Sequence, residues 1–211
     1  PLWALWRAIT AFSLDAERIL MRLVHKGRRV RVHPTASLMG SIIADDVTIG
    51  AHVTVKNSII GPGAKLLDHA VLVNSVVGAN ALITENTFMV STVTYPEATV
   101  GNYKLQVSLI GRGAYVNAWA GFVDAKFVGP VQVAHKGALA STERQFLGSV
   151  VGHRAQVAAK ILIQPGREIP NDTVIVMRPD EVVSVVPKDL KPDTPMVRDQ
   201  GTLVPLGTSP S

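Results

Sequence analysis

The 211 residues predict an all-β solenoid, a coil of short strands with three strands to the turn, and two observations carry that prediction. The first is a 17-residue step: "LMGSII" begins at 38, "VKNSII" at 55, "LVNSVV" at 72 and "MVSTVT" at 89. The frame slips by one to "LQVSLI" at 105 and continues with "FVDAKF" at 122. The second is the spacing of aliphatics inside each step, 6, 6 and 5 residues, as in Ile43, Ile49, Val55 and again in Ile60, Leu66, Leu72. Composition agrees: hydrophobic residues make up 47% of the chain and aromatics only 5%, so the interior must be built from Val, Ile, Leu and Ala rather than from large rings.

In chain order, residues 1–31 read as a basic amphipathic segment. Leu5, Ile9, Phe12, Ala16, Ile19 and Leu23 are spaced 4, 3, 4, 3, 4, one face of a helix that would close the open amino end of the coil. Ser13 could instead start a second, shorter helix. Residues 1–33 carry seven basic side chains against Asp15 and Glu17, while the remaining 178 hold 14 of each sign. Contact with an anionic membrane surface would therefore fall within residues 1–31. Nucleic acid is disfavoured, since no aromatics interleave the stretch Lys26 to Arg31.

The coils are assigned to residues 32–178. A small or β-branched residue stands two before most aliphatics (Val47, Val53, Ser58, Ala64, Ala70, Ser75, Ala81), and residues two apart share a strand face, so both members of each pair point inward. Ser58, Ser75, Thr92 and Ser108 then form one internal ladder, with Ala125 next in line. The frame breaks once. After Phe127 and Val133 the next in-frame aliphatic is Phe146, so seven extra residues are expected to be extruded as a loop within 134–145. The ladder resumes at Val151, Val157, Ile163 and Ile169. From Pro179 to residue 211 the Pro-rich stretch predicts a capping strand near Val182 to Val186 and then a flexible tail.

The stretches "IGAHVT", "IGPGAK" and "VGANAL" resemble the hexapeptide-repeat family. Over residues 32 to 176, that resemblance implies a left-handed parallel β-helix of triangular coils, about eight by the repeat count, and a homotrimer. A second resemblance is narrower. "PLWALWRA", the basic stretch, "RVHPTASLMGSIIADDVTIGAHVTVKNSIIG", "TYPEATV", "SLIGRGAYV" and "VVGHRAQVAA" look like the carboxyl-terminal region of sugar-1-phosphate nucleotidylyltransferases. It implies an oligomerising or regulatory β-helix, related to nucleotide-sugar pyrophosphorylases and to a sugar-nucleotide ligand, whose catalytic nucleotidyltransferase domain is not in this chain.

Cysteine is absent, so disulfides and thiolate metal sites are excluded. His52 and His69 lie 17 apart and should stack, but the next rungs supply Asn86 and Asn102, which fits exposed corners better than a metal site; no metal ligands are assigned. Carbonic anhydrases of the hexapeptide-repeat fold use two histidines five apart, a spacing not found here. Hexapeptide acyltransferases use a histidine to deprotonate an acceptor in a cleft between subunits, under an extruded loop. By that resemblance the catalytic candidates are His135, Glu143 and His153, and the ligand-binding candidates, for the phosphates of an acyl carrier or nucleotide, are Lys136, Arg144 and Arg154. Three functions follow: the pyrophosphorylase-related assembly domain as the main reading, a loop-based acyltransferase, and a structural or partner-binding trimeric solenoid. No particular cofactor is specified. The first residues lack a signal-peptide pattern, and a cytoplasmic location is the default expectation.

Overall fold

The computed structural model describes residues 23–101, 104–188 and 192–206. They form an all-β parallel solenoid whose strands, most of them two or three residues long, stack on three faces. The first face holds eight rungs: His25–Lys26, Ile42–Ile43, Ile59–Ile60, Val76–Val77, Val93–Thr94, Leu109–Ile110, Val150–Val151 and Glu168–Ile169. The second also holds eight, from Arg31–Val32 to Val174–Ile175. The third has five rungs from Ser37–Met39 to Leu105–Gln106, then a separate pair of Gly121–Phe122 with Leu162–Ile163.

Each strand is short because a corner residue in the left-handed region stops it. Arg29, Asp46, Asn80, Glu97, Arg154 and Asp172 do this between the first and second faces, His52, His69, Asn86, Trp119 and Lys160 between the second and third, and Asn57, Asn74, Ser91 and Val107 between the third and first, all with φ between 48° and 70°. A residue in that region cannot continue an extended strand. The corners therefore form columns of their own, one residue per coil.

The core lies inside the coil. Ile43, Ile60, Val77, Thr94, Ile110 and Val151 stack as one buried column, and Ile49, Leu66, Ile83, Val100, Val116 and Val157 as another. The predicted hydroxyl ladder is present and buried. Ser58, Ser75, Thr92 and Ser108 each donate through the hydroxyl to the carbonyl two residues back, and the backbone N–H groups of Ser58, Ser75 and Thr92 each donate to the hydroxyl one coil before. It begins at Ser41, and its next member after Ser108 is Ser149, not Ala125, because the chain between them leaves the coil.

Other expectations need correction. The coils start at His25, not at residue 32: Val24, Val30, Val32, Ala36 and Leu38 pack against the core from a coil of their own. The expected helical cap falls on residues 1–22, outside the described residues, and among those described the only helical element is a single 3-10 turn, Pro179–Glu181. The basic stretch Lys26 to Arg31 is not a set of free cations. Arg28 and Arg29 pair with Asp45 and Asp46 on the next coil, and Arg31 Nη2 donates to Thr48 Oγ1 at 3.0 Å. The Arg28 backbone N–H and then its guanidinium hold Asp45 below the usual carboxylate range, and hydrogen bonding to Arg29 does the same for Asp46. Beyond Pro179, Val185 makes one bridge to Thr202, and strands Met196–Asp199 and Thr202–Pro205 form a hairpin where a flexible tail was expected. Among the described residues no helix is long and apolar enough to cross a membrane.

Candidate active site

The largest departure from the repeat lies between Phe122 and Val150. Leu109 pairs with Val150, 41 residues on, where Val76 pairs with Val93 at the usual 17, so 24 extra residues leave the coil rather than seven. Phe127, Val133 and Phe146, read as rungs, belong to this excursion, and Phe127 is 94% exposed. Their spacing imitates the ladder, and Gly129-Pro130 between them is no separate signal, since Gly61-Pro62 stands between the rungs Ile60 and Leu66 of a regular coil.

The excursion is one antiparallel arm. Leu147 N–H donates to Asp124 O, Lys126 N–H to Gln145 O and Val131 N–H to Arg144 O, at 2.9, 2.9 and 2.7 Å. Strands Gln132–His135 and Ala138–Ser141 continue it to a two-residue turn, Lys136 and Gly137, both at positive φ as a tight hairpin requires. Phe127 to Pro130 bulge out of one strand midway. The arm lies against the last coil: Arg167 Nη1 donates to Gln132 O at 3.0 Å, and Gly166, φ 73°, leaves room for Val131 where a Cβ would come within 2.6 Å of it.

At the root of the bulge is an open cleft of about 640 Å³ lined by Gly129, Pro130, Ser141, Glu143, Arg144, Gln145 and Phe146. Glu143 and Arg144 both line it. Ser141, Gln145 and Phe146 were not singled out as site residues. The Arg144 guanidinium and the Lys136 ammonium have no acidic partner among the described residues.

The other candidates are placed apart. His135 is at the arm's exposed tip, three residues or about 10 Å of strand beyond the Gln132–Ser141 pair, and Glu143 lies on the far side of that pair. Within one subunit the two do not form a proton-transfer pair. His153 sits on a coil corner, where its Nδ1 accepts the Arg112 backbone N–H at 2.8 Å and its own backbone N–H donates to Asn171 Oδ1 at 2.7 Å. Asp45 and Asp68 accept backbone N–H groups from the preceding coil in the same way. With Nδ1 accepting, a neutral imidazole carries its proton on Nε2 and has no free lone pair to act as a base, so His153 is a corner acceptor. Arg154 is committed to Asp172 through Nε–Oδ1 at 2.6 Å and Nη2–Oδ2 at 2.7 Å. That hydrogen bonding raises the arginine's pKa and lowers the carboxyl's.

His52 and His69 stack as predicted, with centroids 5.0 Å apart and planes at 14°, exposed on a corner. Among the described residues no three His, Asp or Glu side chains gather where a metal could be held.

No known family's profile matches the chain, and no characterised protein matches it in sequence. Solved structures do share similarity. A polysialic acid O-acetyltransferase is 14% identical with a TM-score of 0.28, over 72% of this chain and 74% of that one. A hexapeptide transferase family protein from Anaplasma phagocytophilum is 13% identical with a TM-score of 0.25, over 71% and 80%. The acetyltransferase domain of PglB from Neisseria gonorrhoeae is 16% identical with a TM-score of 0.21, over 71% and 54%. Likeness at this level says nothing about what the present chain acts on.

Proposed function

We propose that the chain is a hexapeptide-repeat acyltransferase, a trimer of left-handed β-helices whose site is completed between subunits at the arm. One observation carries this reading over the assembly-domain reading: 24 residues are extruded from an otherwise regular coil to build a cleft that holds Arg144, free of any acidic partner among the described residues, beside Glu143 and Ser141. A scaffold needs no such cleft. Arg144 offers a planar fork of donors to the phosphate of an acyl carrier. His135 at the arm tip is the candidate base, acting on the cleft of a neighbouring subunit, with Glu143 of that cleft as its partner. Lys136 beside it supplies a second cation. The outward column of the first face, Ile42, Ile59, Val76, Leu109 and Val150, is aliphatic and between 37% and 50% exposed, and supports that face as the subunit contact.

The test is transfer of a labelled acetyl group from acetyl-coenzyme A to a panel of amine and hydroxyl acceptors by the full chain. His135→Ala and Arg144→Ala should abolish turnover with the oligomer mass unchanged. Full rates in both variants, or no transfer to any acceptor and no rise in melting temperature with the acyl carrier, would return the chain to the assembly reading.

A further inference from the structure

The first coil differs from the others at its inward positions. Val30, Val32, Ala36 and Leu38 are half-buried, whereas Val47, Ile49, Val53 and Val55, one coil on, are at most 2% exposed. Val32, Ala36 and Leu38, with Val24, Lys26 and Ser37, line a hollow of about 290 Å³ in the amino end. The backbone is open at the same place. The carbonyls of Ser41, Ile43, Val47, Ile49 and Val53 accept N–H groups of the first coil at 2.8 to 3.0 Å. Their counterparts 17 residues earlier, on Val24, Lys26, Val30, Val32 and Ala36, accept none among the described residues. The amino end is therefore a largely apolar hollow ringed by an unpaired strand edge, which a solenoid has to block.

A second copy meeting it end to end would bring the same hollow, and two facing hollows leave a void. An anionic membrane would need free cations at the rim. Arg28 and Arg29 instead turn onto Asp45 and Asp46 of the next coil and Arg31 onto Thr48, leaving Lys26 as the one cation that lines the hollow. The chain itself supplies the third occupant. It reaches the first coil at Leu23, 63% exposed and adjacent to Val24 of the hollow, so the residues before it are tethered at the rim and their effective concentration there is high. Leu5, Ile9, Phe12, Ala16 and Ile19 are spaced 4, 3, 4 and 3, the stripe of a helix, and not the 6, 6 and 5 that would add another rung. A helix from Leu5 to Ile19 is about 22 Å long and a six-residue side of the coil about 20 Å, so one helix spans the end.

We propose that residues 1–22 form a helical plug that lays Leu5, Ile9, Phe12, Ala16 and Ile19 into the hollow over Val32, Ala36 and Leu38. A helix bonds its own backbone, so the plug closes the end without presenting a new strand edge. The basic amphipathic segment is thereby used inside the chain rather than on a membrane. The plug does not rest on the acyl-transfer reading, because it meets the first coil while the arm lies against the last.

The chain has no cysteine, so thiols can be placed one pair at a time. Ala36→Cys in the hollow is combined in turn with Ile9→Cys, Phe12→Cys and Ala16→Cys on the stripe, and with Arg18→Cys on the other side of the helix. Each full-length chain is treated with a short bifunctional thiol reagent. The three stripe positions should link to the hollow within one chain at least tenfold faster than position 18, and Phe12→Asp should raise severalfold the fluorescence of a dye that binds exposed apolar surface. Equal linking at all four positions, or an unchanged dye signal, would overturn the proposal. Links formed only between chains would overturn it in favour of a second copy. Sedimentation of the parent with phosphatidylglycerol vesicles, abolished by Phe12→Asp, would overturn it in favour of a membrane.

Discussion

Replacing Gly166 by alanine tests whether the arm is held in place by the last coil. At φ 73° an L-residue pays about 1–2 kcal/mol for the left-handed region. The new Cβ would also lie 2.6 Å from Val131 Cγ1 and 2.9 Å from Gln132 O, an overpacking cost of about 1–3 kcal/mol if the arm stays where it is. The two costs act on different parts: the first destabilises the coil, while the second is relieved if the arm lifts away and gives up the Arg167–Gln132 hydrogen bond. A docked arm therefore predicts a loss of about 2–5 kcal/mol, and a detached one only the first 1–2 kcal/mol, accompanied by fast amide exchange over residues 131–142. For a domain of this size each kcal/mol is about 2–4 °C in Tm. Urea melts with amide exchange on the arm distinguish the cases. A variant within about 0.5 kcal/mol of the parent and with an unchanged arm would refute the reasoning, because the contact at Gly166 would then not exist.

Ser75→Ala should cost about 1–3 kcal/mol in a urea melt, since the Thr92 N–H loses the acceptor it holds at 3.3 Å, while Ser75→Thr, repeating Thr92 on the next coil, should cost well under half as much. His153→Asn, which keeps a side-chain acceptor for the Arg112 N–H, should retain transfer activity, whereas His153→Ala should lower Tm; a dead Asn variant would restore His153 as a base. Asp46 and Asp172 have lowered carboxyl pKa values, so their contribution is present above the unfolded carboxylate pKa near 4 and is lost as pH falls through the lowered folded values. The double variant Asp46→Asn, Asp172→Asn should accordingly melt with a flatter acid limb than the parent below about pH 4, the two curves differing most near neutrality. Both pairs are exposed, so the separation should be small and should shrink further in high salt.

Most of the solenoid is legible in the sequence because one number governs it. The step of 17 sets the rungs, and the aliphatic and hydroxyl columns follow from it. The same step also pairs the charges: Asp45 and Asp46 lie 17 after Arg28 and Arg29, so the apparent basic patch could have been discounted by applying to acids and bases the interval already applied to aliphatics. The arm is less legible for a physical reason. Phe127, Val133 and Phe146 keep an apolar spacing close to that of a coil while lying outside one, and composition alone cannot say whether an apolar residue has anything beneath it.

Leu109 and Ile110 pair with Val150 and Val151 in the same relation that joins any two successive coils, as though the intervening residues had never been inserted. The arm is in this sense a parenthesis in the chain. Its two feet, near Asp124 and Leu147, are joined by a hydrogen bond at 2.9 Å, so the rungs depend on that closure, while the residues between meet the scaffold at Gly166 and Arg167 of the last coil. Such a scaffold can exchange one arm for another that keeps the footing at Gly166 and Arg167, without a single rung changing partner. Variation in what the molecule does is thereby separated from variation in how it stands.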